Sequence, residues 1–455
     1  MTARRGSSLV RAAARSVAAA ALFFGAAAEA NGRFPAAQFV TLSADARGER
    51  IALRTTFGIA VSVDAGASWH WLCEELFDYG SAGPPWDPRL AWARGPRDTS
   101  LLVGLSDGLV RSADFCNASR VFEAARDFSG DVTVAPDGVA LWVSSNGAGA
   151  NRVLASRDGG ATFEARGTLP EGFLPETIEA TGAVGERVYV AGVVLEPRRP
   201  SLFRSDDGGR NFTELPFDAQ GGRDAFVSGT VAARPDVVFV RSSLPEDADG
   251  GAGGTLLLRS VDGGRSFREI ARTAGPMYGF ALSADGAQVW VGGADPRDGL
   301  RRSLDGGDTF ERVSDVRSLC LRWHPSGLYA CAPYVTAPFA LGRSLDGGRT
   351  FAPLVRFETL DGPPTCAPGT RGASLCAPRW PVVRAMFQPL DAGVTSDGGA
   401  DAGLDARTDG GTITPPAPDC GCRAGEGRGR AWMPGWVALA ALLSWRRRAS
   451  GRGSR

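Results

Sequence analysis

The chain repeats one short polar stretch at near-regular intervals, and this repeat limits the possible folds more than any other feature. It reads "SVDAGASW" from Ser62, "SRDGGATF" from Ser156, "SDDGGRNF" from Ser205, "SVDGGRSF" from Ser260, "SLDGGDTF" from Ser303 and "SLDGGRTF" from Ser344. A weaker copy, "SADFCNASR" from Ser112, keeps Asp114 and loses the glycine pair. The shortest interval between successive serines is 41 residues (303 to 344) and the longest is 55 (205 to 260). A unit of that length with one polar turn has the size of a four-stranded propeller blade.

Each unit divides into short extended runs. "MYGFALSAD", "AQVWVGG", "GLRRSLD" and "TFERVS" are four such runs broken by Gly, Asp or Pro, and the first unit gives "AQFVTLSAD", "RIALRTT", "GIAVSVD" and "SWHWLC". The turn therefore falls between the third and fourth strands. The expected class is all-β: a propeller of four-stranded antiparallel blades. Without the copy at Ser112 there would be six blades and a long insertion, but "PRLAWARG", "SLLVGLS", "GLVRSAD" and "SRVFEA" supply four runs at ordinary spacing, which favours seven. The abundance of glycine, 61 residues, fits a chain of many tight turns.

The pattern S-x-D-x-G-x-x-[WF] resembles the Asp-box, or bacterial neuraminidase repeat, found in sialidases and in many propellers without sialidase activity. The carboxylates concerned are Asp64, Asp114, Asp158, Asp207, Asp262, Asp305 and Asp346. Their chemistry suits a structural role, since Ser and Asp side chains can accept the backbone N–H groups that a tight turn leaves unpaired, while Gly takes positive φ. The closing aromatic, such as Trp69 or Phe310, can anchor the hairpin between neighbouring sheets. Equivalent carboxylates spread round a ring are not the single acid pair that a glycosidase needs. One carboxylate per turn also falls short of a dedicated calcium loop.

Sialidase chemistry must then rest on other residues. "GRFP" at 32–35 is similar to that family's Arg-x-Pro element, with Gly32 in place of the aromatic and Phe34 in place of Ile. The resemblance implies a substrate-carboxylate role for Arg33. The family also needs a Tyr nucleophile with a Glu partner, and none of Tyr79, Tyr189, Tyr278, Tyr329 or Tyr334 stands in its recognisable context.

Both ends differ in character from the repeats. Arg4 and Arg5 precede an Ala-rich apolar run that closes on "AEA" at 28–30, the layout of a secretory signal peptide over residues 1–30. The propeller and a closing segment then occupy 31–390. Residues 391–419 carry six Asp against one Arg and almost no large apolar side chain, so they read as a disordered stalk. In 420–455, "CGCR" is followed by the apolar run "AWMPGWVALAALLSW" and "RRR". This order resembles the MYXO-CTERM sorting signal of myxobacterial surface proteins, which implies tail cleavage near Cys420 and Cys422 and retention at the cell surface. An uncleaved transmembrane anchor would give nearly the same localisation.

Export makes disulfides the expected state of the remaining cysteines. Cys320 and Cys331 sit at matching places on a hairpin, Cys366 and Cys376 bracket a short Pro- and Gly-containing loop, and Cys73 and Cys116 are left to pair with each other. The two His, His70 and His324, lie outside any zinc spacing. Fifty basic against 50 acidic residues predict no nucleic-acid partner. No cofactor is implied. Ligand-binding residues are expected on the loops opposite the repeated turns, at 74–87 with Tyr79 and Trp86 able to stack on a sugar, and at 243–255. The reading is of a surface propeller that binds a carbohydrate or a surface protein without catalysis; the alternatives are an exo-sialidase or other glycoside hydrolase, and a purely structural adhesion protein.

Overall fold

A computed structural model describes residues 34–387 apart from 46, 79–87, 106, 124–129, 145–150 and 246–252. The signal peptide, Arg33, the stalk and the sorting tail with Cys420 and Cys422 lie outside the described residues, as do Tyr79 and Trp86. Among the described residues no helix is long and apolar enough to cross a membrane.

Seven sheets, each of four antiparallel strands consecutive in the chain, follow one another from Ala37 to Val355. The first strands of successive sheets pack on one another, and the first strand of the first sheet packs on that of the seventh. The fold is therefore a closed seven-bladed propeller with the first strand of each blade innermost. These strands are Ala37–Leu42, Arg89–Arg94, Asp131–Val134, Phe173–Thr181, Phe226–Val231, Gly279–Leu282 and Cys320–His324. The weak repeat at Ser112 belongs to a full blade, whose third strand is Gly108–Ser112 and whose fourth is Ser119–Glu123.

Alternation along the strands fills the spaces between blades. Val132, Trp142 and Leu154 of the third blade bury against Leu102 and Leu109 of the second, and Val188 and Phe203 of the fourth bury against Val143 and Val153 of the third. The closing aromatic of the repeat joins the same slabs: Phe163, Phe212, Phe267, Phe310 and Phe351 each pack between their own blade and the one before it.

In an antiparallel meander the ends alternate. The connections between first and second strands and between third and fourth strands lie at one end of the ring, here the turn end. Those between second and third strands and between blades lie at the other, the entry end, where the innermost strands begin.

The cysteines depart from the expected pairing. Cys320 and Cys331 bridge the first two strands of the seventh blade, but Cys73 bonds to Cys376 and Cys116 to Cys366. Neither Cys73–Cys116 nor Cys366–Cys376 forms. The reason is the path taken after the seventh blade, which carries the chain back across the first. Asp361 N–H donates to Trp69 O and Trp71 N–H donates to Gly362 O, so this strap pairs with the outermost strand of blade one, His70–Leu72. Trp380 stacks on Trp71, and Phe357 and Phe387 enclose Phe57. Each of the two long-range bridges thus fastens the strap to a different blade.

Candidate functional site

The repeated turn has one geometry in six blades. In the sixth, Ser303 Oγ donates to Asp305 Oδ1 at 2.7 Å and accepts Gly307 N–H at 2.8 Å. Asp305 also accepts the Thr309 N–H at 2.9 Å and the Thr309 hydroxyl at 2.7 Å. Gly306 and Gly307 have φ of +74° and +100°, which an L side chain resists. The same contacts recur from Ser62, Ser156, Ser205, Ser260 and Ser344 to Asp64, Asp158, Asp207, Asp262 and Asp346. At Ser112 the hydroxyl donates instead to Asn117 O, while Asp114 accepts the N–H groups of Cys116 and Asn117. Burial alone would raise the Asp158 carboxyl, but hydrogen bonds from Thr162, Ser156 and Ala161 outweigh it and hold the group at about 2. These carboxylates are committed to their own turns.

The turns also join the blades. Arg111, Arg204 and Arg259 each precede the repeat's Ser and donate to the carbonyl of the first Gly in the next blade: Gly159 at 3.2 Å, Gly263 at 2.7 Å, and Gly306. The second Gly receives an aliphatic knob from the preceding blade. A Cβ on Gly307 would stand 2.8 Å from Ile270 Cδ1, and one on Gly264 would stand 2.5 Å from Leu215 Cδ1.

The entry end of the central channel is different, because charge collects there without such pairing. Arg89 and Asp131 open the innermost strands of blades two and three, and Glu176 and Glu179 lie on that of blade four. Arg241 sits with its guanidinium 4.9 Å from the Phe226 ring centre and donates to Met277 O at 2.8 Å. Asp131 accepts Ile178 N–H at 3.0 Å, and Thr133 donates to Glu179 at 3.2 Å. Arg89 and Glu176 have no hydrogen-bond or ion-pair partner among the described residues, although each lies in the other's field.

Burial governs the protonation of this group. It pushes Glu179 up to about 7, reinforced by the Asp131 charge and opposed by Arg322 from across the ring and by the Thr133 hydroxyl. Burial also raises Asp131 against the pull of Arg89, and raises Glu176, with Asp224 and Asp131 adding to the rise. Burial lowers Arg241 to about 10, assisted by the like charge of Arg89.

Three innermost strands are bulged at this end, and each bulge holds a polar residue. The pairing register skips Gln38, Glu176 and Ser228 in blades one, four and five. Gln38 Oε1 and Ser228 Oγ are buried with no partner among the described residues. A bulge re-aims a side chain that regular pairing would send into the blade interface.

Of the tyrosines, Tyr189 is buried and donates to Pro235 O, Tyr329 is buried against Ser326 Oγ, and Tyr334 packs on Phe357. Tyr278 is half exposed and lies in the field of Arg241, together with Glu176. Sequence reasoning passed over Arg89, Asp131, Glu176 and Arg241, which belong to four blades and share no motif. Among the described residues no group of three His, Cys, Asp or Glu is placed to hold a metal ion.

No family model and no curated protein matches the chain. Among solved structures, it is similar to an ancestral GH74 enzyme at 12% identity and a TM-score of 0.50, covering 70% of this chain and 46% of the enzyme. It thus spans less than half of that enzyme's length. It is also similar to the hydrazine synthase of Kuenenia stuttgartiensis at 12% identity, TM-score 0.49, covering 70% of this chain and 99% of that one. YCF48 from Cyanidioschyzon merolae follows at 16% identity, TM-score 0.44, with coverage of 65% and 92%. At such identities the likeness to the GH74 enzyme concerns the propeller fold alone.

Proposed function

We propose that the protein is an exported propeller held at the cell surface by its C-terminal sorting signal, with Asp-box turns as its scaffold. Its ligand, a carbohydrate or a surface protein, is bound without catalysis at the entry end of the channel. The observation that carries this reading is the collection of half-buried charges at Arg89, Asp131, Glu176, Glu179 and Arg241, with Arg89 and Glu176 unpaired among the described residues. Half-buried charge without a partner opposes folding, and nothing in the propeller architecture requires it there. Perturbed ionisable groups gathered in a concave position are what a ligand site requires. Binding of the purified protein to glycan and peptide arrays tests the reading. Signal that disappears in Glu176→Gln and Arg89→Gln while the fold persists supports it, and silence across broad arrays favours a structural adhesion role.

A second reading, a sialidase-type or other glycoside hydrolase, is favoured by one observation. Tyr278 and Glu176 each lie in the field of Arg241, and that chemistry uses a Tyr, a Glu and Arg residues. Turnover of a fluorogenic sialoside that is abolished by Tyr278→Phe would establish it and displace the binding reading.

A further inference from the structure

The interface between blades three and four breaks the rule that governs its neighbours. Blades two, four and five carry Arg before the repeat's Ser and use it to reach the next blade's first Gly, but blade three carries Ala155 there. The missing side chain is partly replaced from the outermost strand. At the position where the pairing register skips, that strand holds Val121, Ile270, Val313 or Leu354 in other blades, but Arg166 in blade three. Arg166 Nε donates to Gly208 O at 2.8 Å. A cavity of about 340 Å³ lies beside Arg166 at the turn end of this interface, lined by Val139 and Leu141 and by Arg157, Arg166 and Arg210.

The charges around this cavity are unbalanced in their use. The carboxylates on its wall are occupied by backbone N–H groups: Asp137 by Val139, Glu186 by Val184, and Asp207 by Arg210 and Asn211. Arg210 donates to its own turn at Asp207 O. Arg157 makes no hydrogen bond, and none of the three arginines forms an ion pair, among the described residues. Three arginines thus line one cavity with most of their donors unused among the described residues. Burial lowers the Arg166 pKa, and the like charges of Arg210 and Arg157 lower it further against the opposing charges of Asp137 and Asp207.

From the cavity, the unpaired arginines and the apolar floor we infer that the blade three to blade four interface is a second binding site, for a small organic oxyanion. Its carboxylate or phosphate would be gripped by Arg157, Arg166 and Arg210, and its carbon skeleton would rest on Val139 and Leu141. The cavity has the volume of a small-ligand pocket, and planar guanidinium groups match the geometry of such anions. The site is separate from the entry-end charges and does not depend on the role proposed for them.

Isothermal titration of the purified protein with glucuronate, inorganic phosphate and glucose tests the proposal. Glucuronate should bind, with phosphate competing for the same site and glucose giving no heat, and its affinity should fall at higher salt. Arg157→Ala should weaken glucuronate binding at least tenfold with an unchanged melting temperature, because Arg157 supports no contact of the fold. Ala155→Arg restores the residue found in the neighbouring blades, where it reaches the next blade's first Gly; here that is Gly208 on the cavity wall, so binding should be abolished. If phosphate binds and glucuronate does not, the anion is a phosphate and the site stands. Absence of binding by both anions, or binding indifferent to Arg157→Ala, would overturn the proposal even if Ala155→Arg failed to fold.

Discussion

At the scale of single residues, the repeat's Ser is as important as its Asp. Ser303 is buried and holds Gly307 N–H and Asp305 at once, so Ser303→Ala should cost roughly 1–2 kcal/mol by leaving a buried N–H without a partner. Urea denaturation measures this, with ligand binding at the entry end unchanged. The carboxylates predict pH effects of opposite sign. Asp158 titrates at about 2 when folded against 3.8 ordinarily, so its contribution is present above pH 3.8 and is lost as pH falls through 2. Glu179 titrates at about 7 against 4.5, so the native state binds the extra proton between those values and stability declines as pH rises through that window. Glu179→Gln should flatten that decline in a pH series of denaturation midpoints. The turn residues were legible in the sequence because each turn is local. Glu176 was not, because its importance comes from a register skip and from charges on other blades.

At the scale of elements, each third-to-fourth-strand turn is also a joint between blades. Gly307→Ala must place a side chain at φ +100° and within 2.8 Å of Ile270 Cδ1, so a loss of about 1–3 kcal/mol is expected. A double-mutant cycle with Ile270→Ala should show a combined loss smaller than the sum, because the second change removes the atom that the new Cβ meets. Simple additivity would mean that the φ strain alone sets the cost. The placement of the turn between the third and fourth strands followed from sequence periodicity. The Arg–Ser pairs at 111–112, 204–205 and 259–260 were equally visible, but only the structure gives Arg a partner, since that partner is a backbone carbonyl of the next blade.

At the scale of the whole molecule, the strap and its two bridges secure the ring. Among the described residues every sheet is built from one continuous run of chain, so no strand from the N-terminal side completes the last blade. Cys73–Cys376 and Cys116–Cys366 instead span 303 and 250 residues, fastening the chain after the seventh blade to blades one and two. Replacing Cys73 and Cys376 by Ser should cost about 2–5 kcal/mol, read from thermal or denaturant unfolding. Limited proteolysis should then cut within 360–387 before it cuts the blades. Intact resistance there would mean that Trp71, Trp380 and the Phe57 cluster hold the strap unaided. The sequence by itself determined the all-β class, the blade count and the position of the turn, since these depend on hydrophobic alternation and hydrogen bonds between near neighbours. Only the tertiary structure decided the long-range cysteine pairs, the charges at the channel entry and the cavity between blades three and four. Each of these joins residues from different blades, or from a blade and the strap, which come together only in the folded ring.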